Sequence, residues 1–105
     1  MDETKLDRLK NLAEKNPTDA FVRYGLALEY RSLGLEESAR DCFEQLLAEA
    51  PDYVPTYLQF GQMLIDLSEL ERAQEVLSRG VEVAEDQGDL RASSELSAAL
   101  EGLEE

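Results

Sequence analysis

An internal period of 34 residues constrains this chain more than any other feature of its sequence. Shifting the sequence by 34 positions places residues 20–53 on residues 54–87, and the class of side chain is kept at spaced positions. The corresponding pairs are Leu26 and Phe60, Ala27 and Gly61, Tyr30 and Leu64, Ala39 and Ala73, and Phe43 and Leu77. Small residues at such positions allow helices to approach closely, while the large ones fill the space around the contact. The period therefore predicts a repeated helical unit.

Apolar residues recur every three or four positions between turn-forming residues, which is the spacing of amphipathic helices. No stretch shows the strict alternation that is typical of a strand bounded by hairpin turns. We therefore predict an all-α protein with about six helices, in which short turns join neighbours into antiparallel pairs. The predicted helices cover residues 3–15, 19–33, 36–50, 54–67, 70–85 and 90–103.

Residues at the helix ends support these boundaries. Thr18 and Asp52 are candidate N-caps of the second and fourth helices, because their side-chain oxygens can accept from free backbone N–H groups. Pro55 suits the first turn of the fourth helix, where its missing N–H costs nothing. Gly34 and Gly88 each follow a helix, where we expect a left-handed residue to end it.

The composition argues against several classes of enzyme. The chain has no histidine and a single cysteine, Cys42, so Ser-His-Asp and Cys-His catalysis, His-ligated zinc and an internal disulfide are excluded. Asp86 and Asp89, with the acids just before them, lack the spacing of a calcium loop. We expect Cys42, which lies on an apolar stripe, to be a packed, inert thiol. We therefore predict no catalytic residue, no metal and no cofactor.

The net charge of −14 limits the partners that we expect. Residues 1–34 are neutral in sum, so residues 35–105 carry all of it. An acidic surface repels phosphate backbones and anionic lipids, which disfavours nucleic acid and membrane, whereas a basic protein or peptide stays compatible. We favour the simpler explanation that the charge keeps the chain soluble and monomeric. With no secretory signal and no apolar run of about 20 residues, we expect a cytoplasmic protein.

The period and its pattern resemble the tetratricopeptide repeat, a helix–turn–helix unit of 34 residues. In residues 20–53 the family's positions are matched by Leu26-Ala27, Tyr30, Gly34, Ala39, Phe43 and Pro51; in residues 54–87 by Tyr57, Phe60-Gly61, Leu64, Ala73 and Leu77. The resemblance also implies that Tyr30 and Tyr57, which match structural positions of the repeat, pack in the core. Three residues depart from the pattern: Arg23 replaces the signature aromatic, Leu46 takes a usually small position, and Glu85 replaces the second closing proline.

The resemblance implies one domain over residues 1–105, an α-solenoid segment built from repeats. Residues 3–15 would be an N-terminal half-repeat helix, residues 20–53 and 54–87 two full repeats, and residues 89–103 a C-terminal capping helix. Such modules bind other proteins, so the resemblance implies an adaptor or scaffold that holds a peptide or partner segment.

In that family the first helices of the repeats line a concave groove, and the resemblance places the partner site there. The residues implied are Phe21, Tyr24, Leu28 and Arg31 from the first repeat, and Leu58, Gln59, Gln62, Ile65 and Asp66 from the second. The alternative is that end helices or a sister chain cover this apolar stripe. In that case the protein would be a self-associating subunit of a homo-oligomer, which we favour less.

Overall fold

The computed structural model describes residues 3–104, and within them it contains six α-helices and no strand. The prediction of an all-α helical-repeat fold is confirmed, and each helix boundary lies within two residues of its expected place. The helices are α1 (Lys5–Lys15), α2 (Ala20–Ser32), α3 (Glu36–Glu49), α4 (Pro55–Asp66), α5 (Leu70–Asp86) and α6 (Leu90–Leu103).

Internal contacts divide the chain into two compact units. Unit 1 ends at Ala50 and contains α1, α2 and α3; unit 2 begins at Pro51 and contains α4, α5 and α6. In unit 1, α2 packs against both α1 and α3. In unit 2, α5 packs against α4 and α6, and α4 also contacts α6. Each unit thus has its own set of packed helices, and the expected single domain over residues 1–105 stays a prediction.

The helix starts correct two expectations about capping. Asp19, not Thr18, is the N-cap of α2, and its Oδ1 accepts from the Val22 backbone N–H at 3.3 Å. Asp52 does not cap α4, whose N-cap is Val54 without a side-chain hydrogen bond. Pro55 sets that start, as expected, and leaves Asp52 too far from the first free N–H groups. α1 opens with a capping box between Thr4 and Asp7.

Three turns place a residue in the left-handed region. Gly34 and Gly88 have φ of 76° and 72°, which confirms the expected helix ends. Ser68 has φ of 61° and stands 34 residues after Gly34, at the same place in the second repeat. A residue with a Cβ is strained in this conformation, whereas glycine adopts it freely. The second repeat therefore makes the same turn as the first with a less suitable residue.

Small residues control how closely the helices pack. Ala39 and Ala73 are fully buried, in agreement with their predicted role at helix contacts. A Cβ built on Gly80 would lie 2.5 Å from Tyr57 Cβ and 3.1 Å from Leu96 Cδ2. A Cβ on Gly61 would lie 2.6 Å from Leu77 Cγ. Both glycines thus let neighbouring helices of unit 2 come closer than any larger residue would permit.

Replacing Gly80 by alanine should lower the free energy of unfolding by about 3 kcal/mol through overpacking. The new methyl group would meet Tyr57 at its Cβ, which moves only with the backbone of α4. Gly61→Ala should cost less, because the Leu77 side chain can change its rotamer; the gain in helix propensity of about 1 kcal/mol is common to both variants. Urea denaturation of both variants measures the difference. An equal or larger loss for Gly61→Ala would contradict this packing.

Ser68→Gly should raise the free energy of unfolding by about 0.5–1 kcal/mol, because it relieves the left-handed strain. The matched control is Ser78→Gly at an exposed position inside α5, where glycine should instead lower stability by roughly 0.5 kcal/mol. Thermal unfolding followed by circular dichroism compares the two variants. If both substitutions destabilise equally, the turn at Ser68 carries no strain.

Candidate functional site

The face of α2 that was predicted to bind a partner lies opposite the buried Leu26, and the buried Ala27 adjoins its edge. Phe21, Tyr24, Leu28 and Arg31 follow one another at intervals of three or four residues, so they share one side of the helix. Phe21 is 72% exposed, and the other three are partly exposed. The buried pair of α2, Leu26 and Ala27, is separate from this set. Unit 1 therefore presents an aromatic and aliphatic strip with one guanidinium group.

The predicted face of α4 has a different chemistry. Gln62 and Asp66 are exposed, while Leu58, Gln59 and Ile65 are partly exposed. The buried residues of α4, which include Tyr57 and Phe60, occupy the remaining arc of the helix. This face of unit 2 thus combines two aliphatic side chains with two amides and one carboxylate. None of the nine predicted site residues belongs to the buried core.

Arg23 and Tyr57 occupy equivalent positions in the two repeats and make the same backbone hydrogen bond. The Tyr57 hydroxyl donates to the Pro51 carbonyl at 2.6 Å, and Arg23 Nη1 donates to the Pro17 carbonyl at 3.4 Å. Arg23 Nη2 also donates to Gln45 Oε1 at 3.1 Å and pairs with Glu49 at 2.7 Å. The arginine therefore replaces the link made by the signature aromatic and adds two contacts from α2 to α3.

Leu46 and Gly80 also occupy equivalent positions in the two repeats, and here unit 1 carries the larger residue. In unit 2 the aromatic Tyr57 faces Gly80, which has no side chain. In unit 1 the fully buried Leu46 stands where Gly80 stands, and the aromatic is absent. The two departures from the repeat pattern thus compensate each other, because a large residue on one helix accompanies the loss of an aromatic ring on the other.

A cleft of about 490 Å³ lies within unit 1, and sequence reasoning missed it. It opens between α1 and α3, which do not pack on each other in the described part of the chain, and α2 forms its floor. Its apolar lining comes from Ala13, Pro17, Leu26 and Tyr30, and its charged and polar lining from Lys10, Glu14, Arg23, Gln45 and Glu49, with Cys42. The cleft therefore has an apolar floor and a charged rim of both signs.

Two residues that we expected in the core line this cleft. Tyr30 is only partly buried, and Lys10 Nζ lies 5.9 Å from the centre of its ring. The expectation of a core role is thus wrong for Tyr30 and correct for Tyr57, which is fully buried. Cys42 is also partly buried. Burial raises the pKa of the Cys42 thiol and Asp41 adds to this, while Arg23 opposes it, so the thiol stays protonated at neutral pH.

Burial also raises the pKa of the Tyr57 phenol in unit 2, with Asp52 adding to the effect and Arg79 opposing it. A protonated phenol is the form that can donate to the Pro51 carbonyl. Among residues 3–104 no group of three or more Cys, Asp or Glu side chains is arranged to hold a metal ion. No helix in the same range is long and apolar enough to cross a membrane.

Comparison with known proteins gives the family. A family model described as Tetratricopeptide repeat matches residues 22–53 and 54–87, which is more than half of the chain. The chain belongs to the tetratricopeptide repeat family. The two matched segments fall on α2 with α3 and on α4 with α5. A comparison with curated proteins gave no significant match.

Solved structures agree with this assignment. The crystal structure of a tetratricopeptide repeat domain protein from Salinibacter ruber is 35% identical, with a TM-score of 0.77, over 82% of this chain and 96% of that one. A solution NMR structure under the same description gives 35% identity and a TM-score of 0.80, over 84% and 89% of the two chains. A Bordetella parapertussis protein at 20% identity and a TM-score of 0.81, over 97% and 89%, shares the fold.

Tetratricopeptide repeats generally mediate interactions between proteins, and the family is typically not catalytic. The same scaffold serves many partners, so the identity of a partner depends on the side chains of an individual chain.

The compensation between Arg23 and Leu46 can be measured by a double-mutant cycle. Arg23→Tyr should lower stability by about 1–3 kcal/mol, because the ring competes with Leu46 for space. Leu46→Ala should cost about 2–5 kcal/mol. The double variant should lose at least about 1 kcal/mol less than the sum, because the ring then occupies the space that Leu46 vacates. Additive losses in urea denaturation would show that the two positions are independent.

Proposed function

We propose that this tetratricopeptide repeat protein is an adaptor that binds a peptide or a segment of another protein through the exposed faces of α2 and α4. The observation that carries the proposal is the exposure of Phe21 to 72% on an apolar helix face. A soluble monomer gains nothing from an exposed aromatic next to further apolar groups, whereas a binding surface uses such side chains as anchors.

The α2 face suits the apolar part of a partner segment. Phe21 and Tyr24 offer flat aromatic surfaces, and Leu28 extends the strip by one further turn. Arg31 lies at its end and can donate to a carbonyl or a carboxylate of the partner. An amphipathic helix or an extended segment with apolar residues at alternating intervals fits this pattern.

The α4 face suits a more polar part of a partner. The Gln59 and Gln62 amides can each donate and accept, so they can pair with the backbone of an extended peptide. Leu58 and Ile65 provide apolar contact on the same side of the helix, and Asp66 adds one negative charge. Specificity at this face would come from hydrogen bonds rather than from a deep pocket.

The proposal includes a non-catalytic role in the cytoplasm, without nucleic acid or membrane as partner. The net charge of −14 disfavours self-association and partners that carry phosphate groups, because copies of the chain repel each other and repel phosphates. The rival function, a self-associating subunit, predicts a particle larger than 11.8 kDa in light scattering at physiological salt. A single species of 11.8 kDa without partner is the result expected for the adaptor.

Tyr24→Ala and Leu58→Ala should each weaken partner binding while the helices stay folded. Loss of an anchor at an interface centre costs about 1–2 kcal/mol, or roughly five- to thirty-fold in affinity. Partners are first captured from the native cell with the wild-type chain, and their affinity for each variant is then measured by calorimetry beside circular dichroism.

The matched controls are Leu12→Ala in unit 1 and Leu70→Ala in unit 2, which truncate leucines that are 46% and 50% exposed outside the two faces. They should leave the affinity unchanged. The proposal fails if Tyr24→Ala and Leu58→Ala bind every captured partner normally, or if the control variants lose as much affinity as they do.

A further inference from the structure

We propose that the cleft of unit 1 is a second binding site, which takes one large aromatic side chain carried on a positively charged segment of a partner protein. The cleft shares no residue with the α2 and α4 faces, so this inference does not rest on the function proposed for them. Its lining belongs entirely to α1, α2, α3 and the turn at Pro17.

The size of the cleft matches a side chain rather than a water molecule. A volume of about 490 Å³ lies within the range of about 300–1,000 Å³ that is typical of ligand pockets. Lys10, Glu14 and Gln45 on its rim are exposed, so the cleft is open to a partner. An apolar floor with a polar rim is the anatomy of a pocket that receives an anchor residue at a protein interface.

Comparison of the two repeats explains the space and indicates an aromatic occupant. Tyr57, Phe60 and Val76 are buried in unit 2, and the equivalent residues in unit 1 are Arg23, Leu26 and Cys42. Two of these replacements are smaller, and the third exchanges an aromatic ring for a guanidinium group. Leu46 already takes the space of the first ring, so the free space in unit 1 corresponds to the ring of Phe60, where Leu26 stands, and to the volume lost at Cys42.

The walls of the cleft can hold a ring brought by a partner. Tyr30 offers a second ring for an offset or edge-to-face contact, and Cys42 offers a sulfur atom. Leu26 lies between them on the floor and is 9% exposed. Arg23 is held in place by Glu49, Gln45 and the Pro17 carbonyl, so it does not need to move for a ring to enter.

The net charge of the chain favours a basic segment as the carrier of that ring. Arg23 is paired with Glu49, while the rim charges Lys10 and Glu14 form no ion pair within residues 3–104 and Lys10 lies over the Tyr30 ring. A cation beside the aromatic residue of the partner can reach the Glu14 carboxylate. The net charge of −14 attracts basic segments over a longer range and repels acidic ones, including a second copy of this chain.

The absence of tryptophan in the chain and its single cysteine, Cys42, allow a direct test. The probe is the peptide acetyl-Gly-Lys-Arg-Trp-Arg-Lys-Gly-amide, whose indole fluorescence reports binding without background. Its reference peptides replace Trp by Ala, or all four cations by Glu. The rate at which neutral N-ethylmaleimide modifies Cys42 is measured by mass spectrometry and locates the bound peptide.

We expect the tryptophan peptide to bind, to slow the modification of Cys42 at saturation, and to bind at least about tenfold more tightly than the alanine peptide. Ala13→Leu should fill the cleft and weaken binding by about tenfold, while Ala48→Leu at an exposed position of α3 should not. Glu14→Gln should weaken it about two- to threefold, and Glu37→Gln should leave it unchanged.

Several outcomes overturn the inference. It fails if the tryptophan peptide shows no binding up to about 1 mM, or if the alanine peptide binds as tightly. It also fails if the glutamate peptide binds as tightly as the basic one. Binding that leaves Cys42 unprotected and is unchanged by Ala13→Leu would place the peptide elsewhere. Protection of Cys42 in the wild-type chain shows whether the peptide occupies the cleft even if Ala13→Leu does not fold.

Discussion

The close approach of Gly80 to Tyr57 is the contact on which the packing of unit 2 depends. A Cβ at Gly80 would touch both Tyr57 of α4 and Leu96 of α6, so this point of α5 meets both neighbouring helices at once. A glycine inside a helix costs about 0.5–1 kcal/mol relative to alanine. Burial of Tyr57 and Leu96 offsets that cost, because each side chain removes a large apolar surface from water.

In unit 1, different residues hold the corresponding pair of helices, α2 and α3, together. Leu46 fills the space that belongs to Tyr57 in the second repeat, and Arg23 connects α2 to α3 through hydrogen bonds instead of ring contacts. A guanidinium group can replace a buried ring only where acceptors surround it, since an unpaired charge is expensive to bury. Glu49, Gln45 and the Pro17 carbonyl provide those acceptors.

The helices were predictable because two independent signals agree on them. Period and apolar spacing fix where each helix lies, and Pro55, Gly34 and Gly88 fix where three of them begin or end. The N-caps were less predictable, because Thr18 and Asp19 are both good caps and one residue decides between them. The prediction of Asp52 as the N-cap of α4 was wrong, because a cap must adjoin the first turn and Pro55 starts that turn three residues later.

The helix faces could be predicted as exposed surface, whereas the cleft could not. A face follows from the period of one helix, and all nine predicted residues lie outside the core. A cleft depends on how three helices combine, and on whether side-chain volumes are conserved between repeats. Its signal in the sequence is Arg23 in place of an aromatic, a departure from the repeat pattern. Tyr30 was expected in the core because it matches a structural position of the repeat.

The exchange of Tyr for Arg at one repeat position therefore changes both the packing and the chemistry of unit 1. Tyr57 is buried against Gly80 in unit 2, whereas in unit 1 Leu46 takes the place of that glycine and Arg23 takes the place of the ring. Arginine keeps the helices connected through its fixed fork of donors and leaves the apolar floor uncovered. Lys10 and Arg23 balance Glu14 and Glu49 among the residues that line the cleft, so the cleft carries no net charge in a chain whose total is −14. The two repeats of this chain thus keep one fold with different residues at the same pair of helix positions.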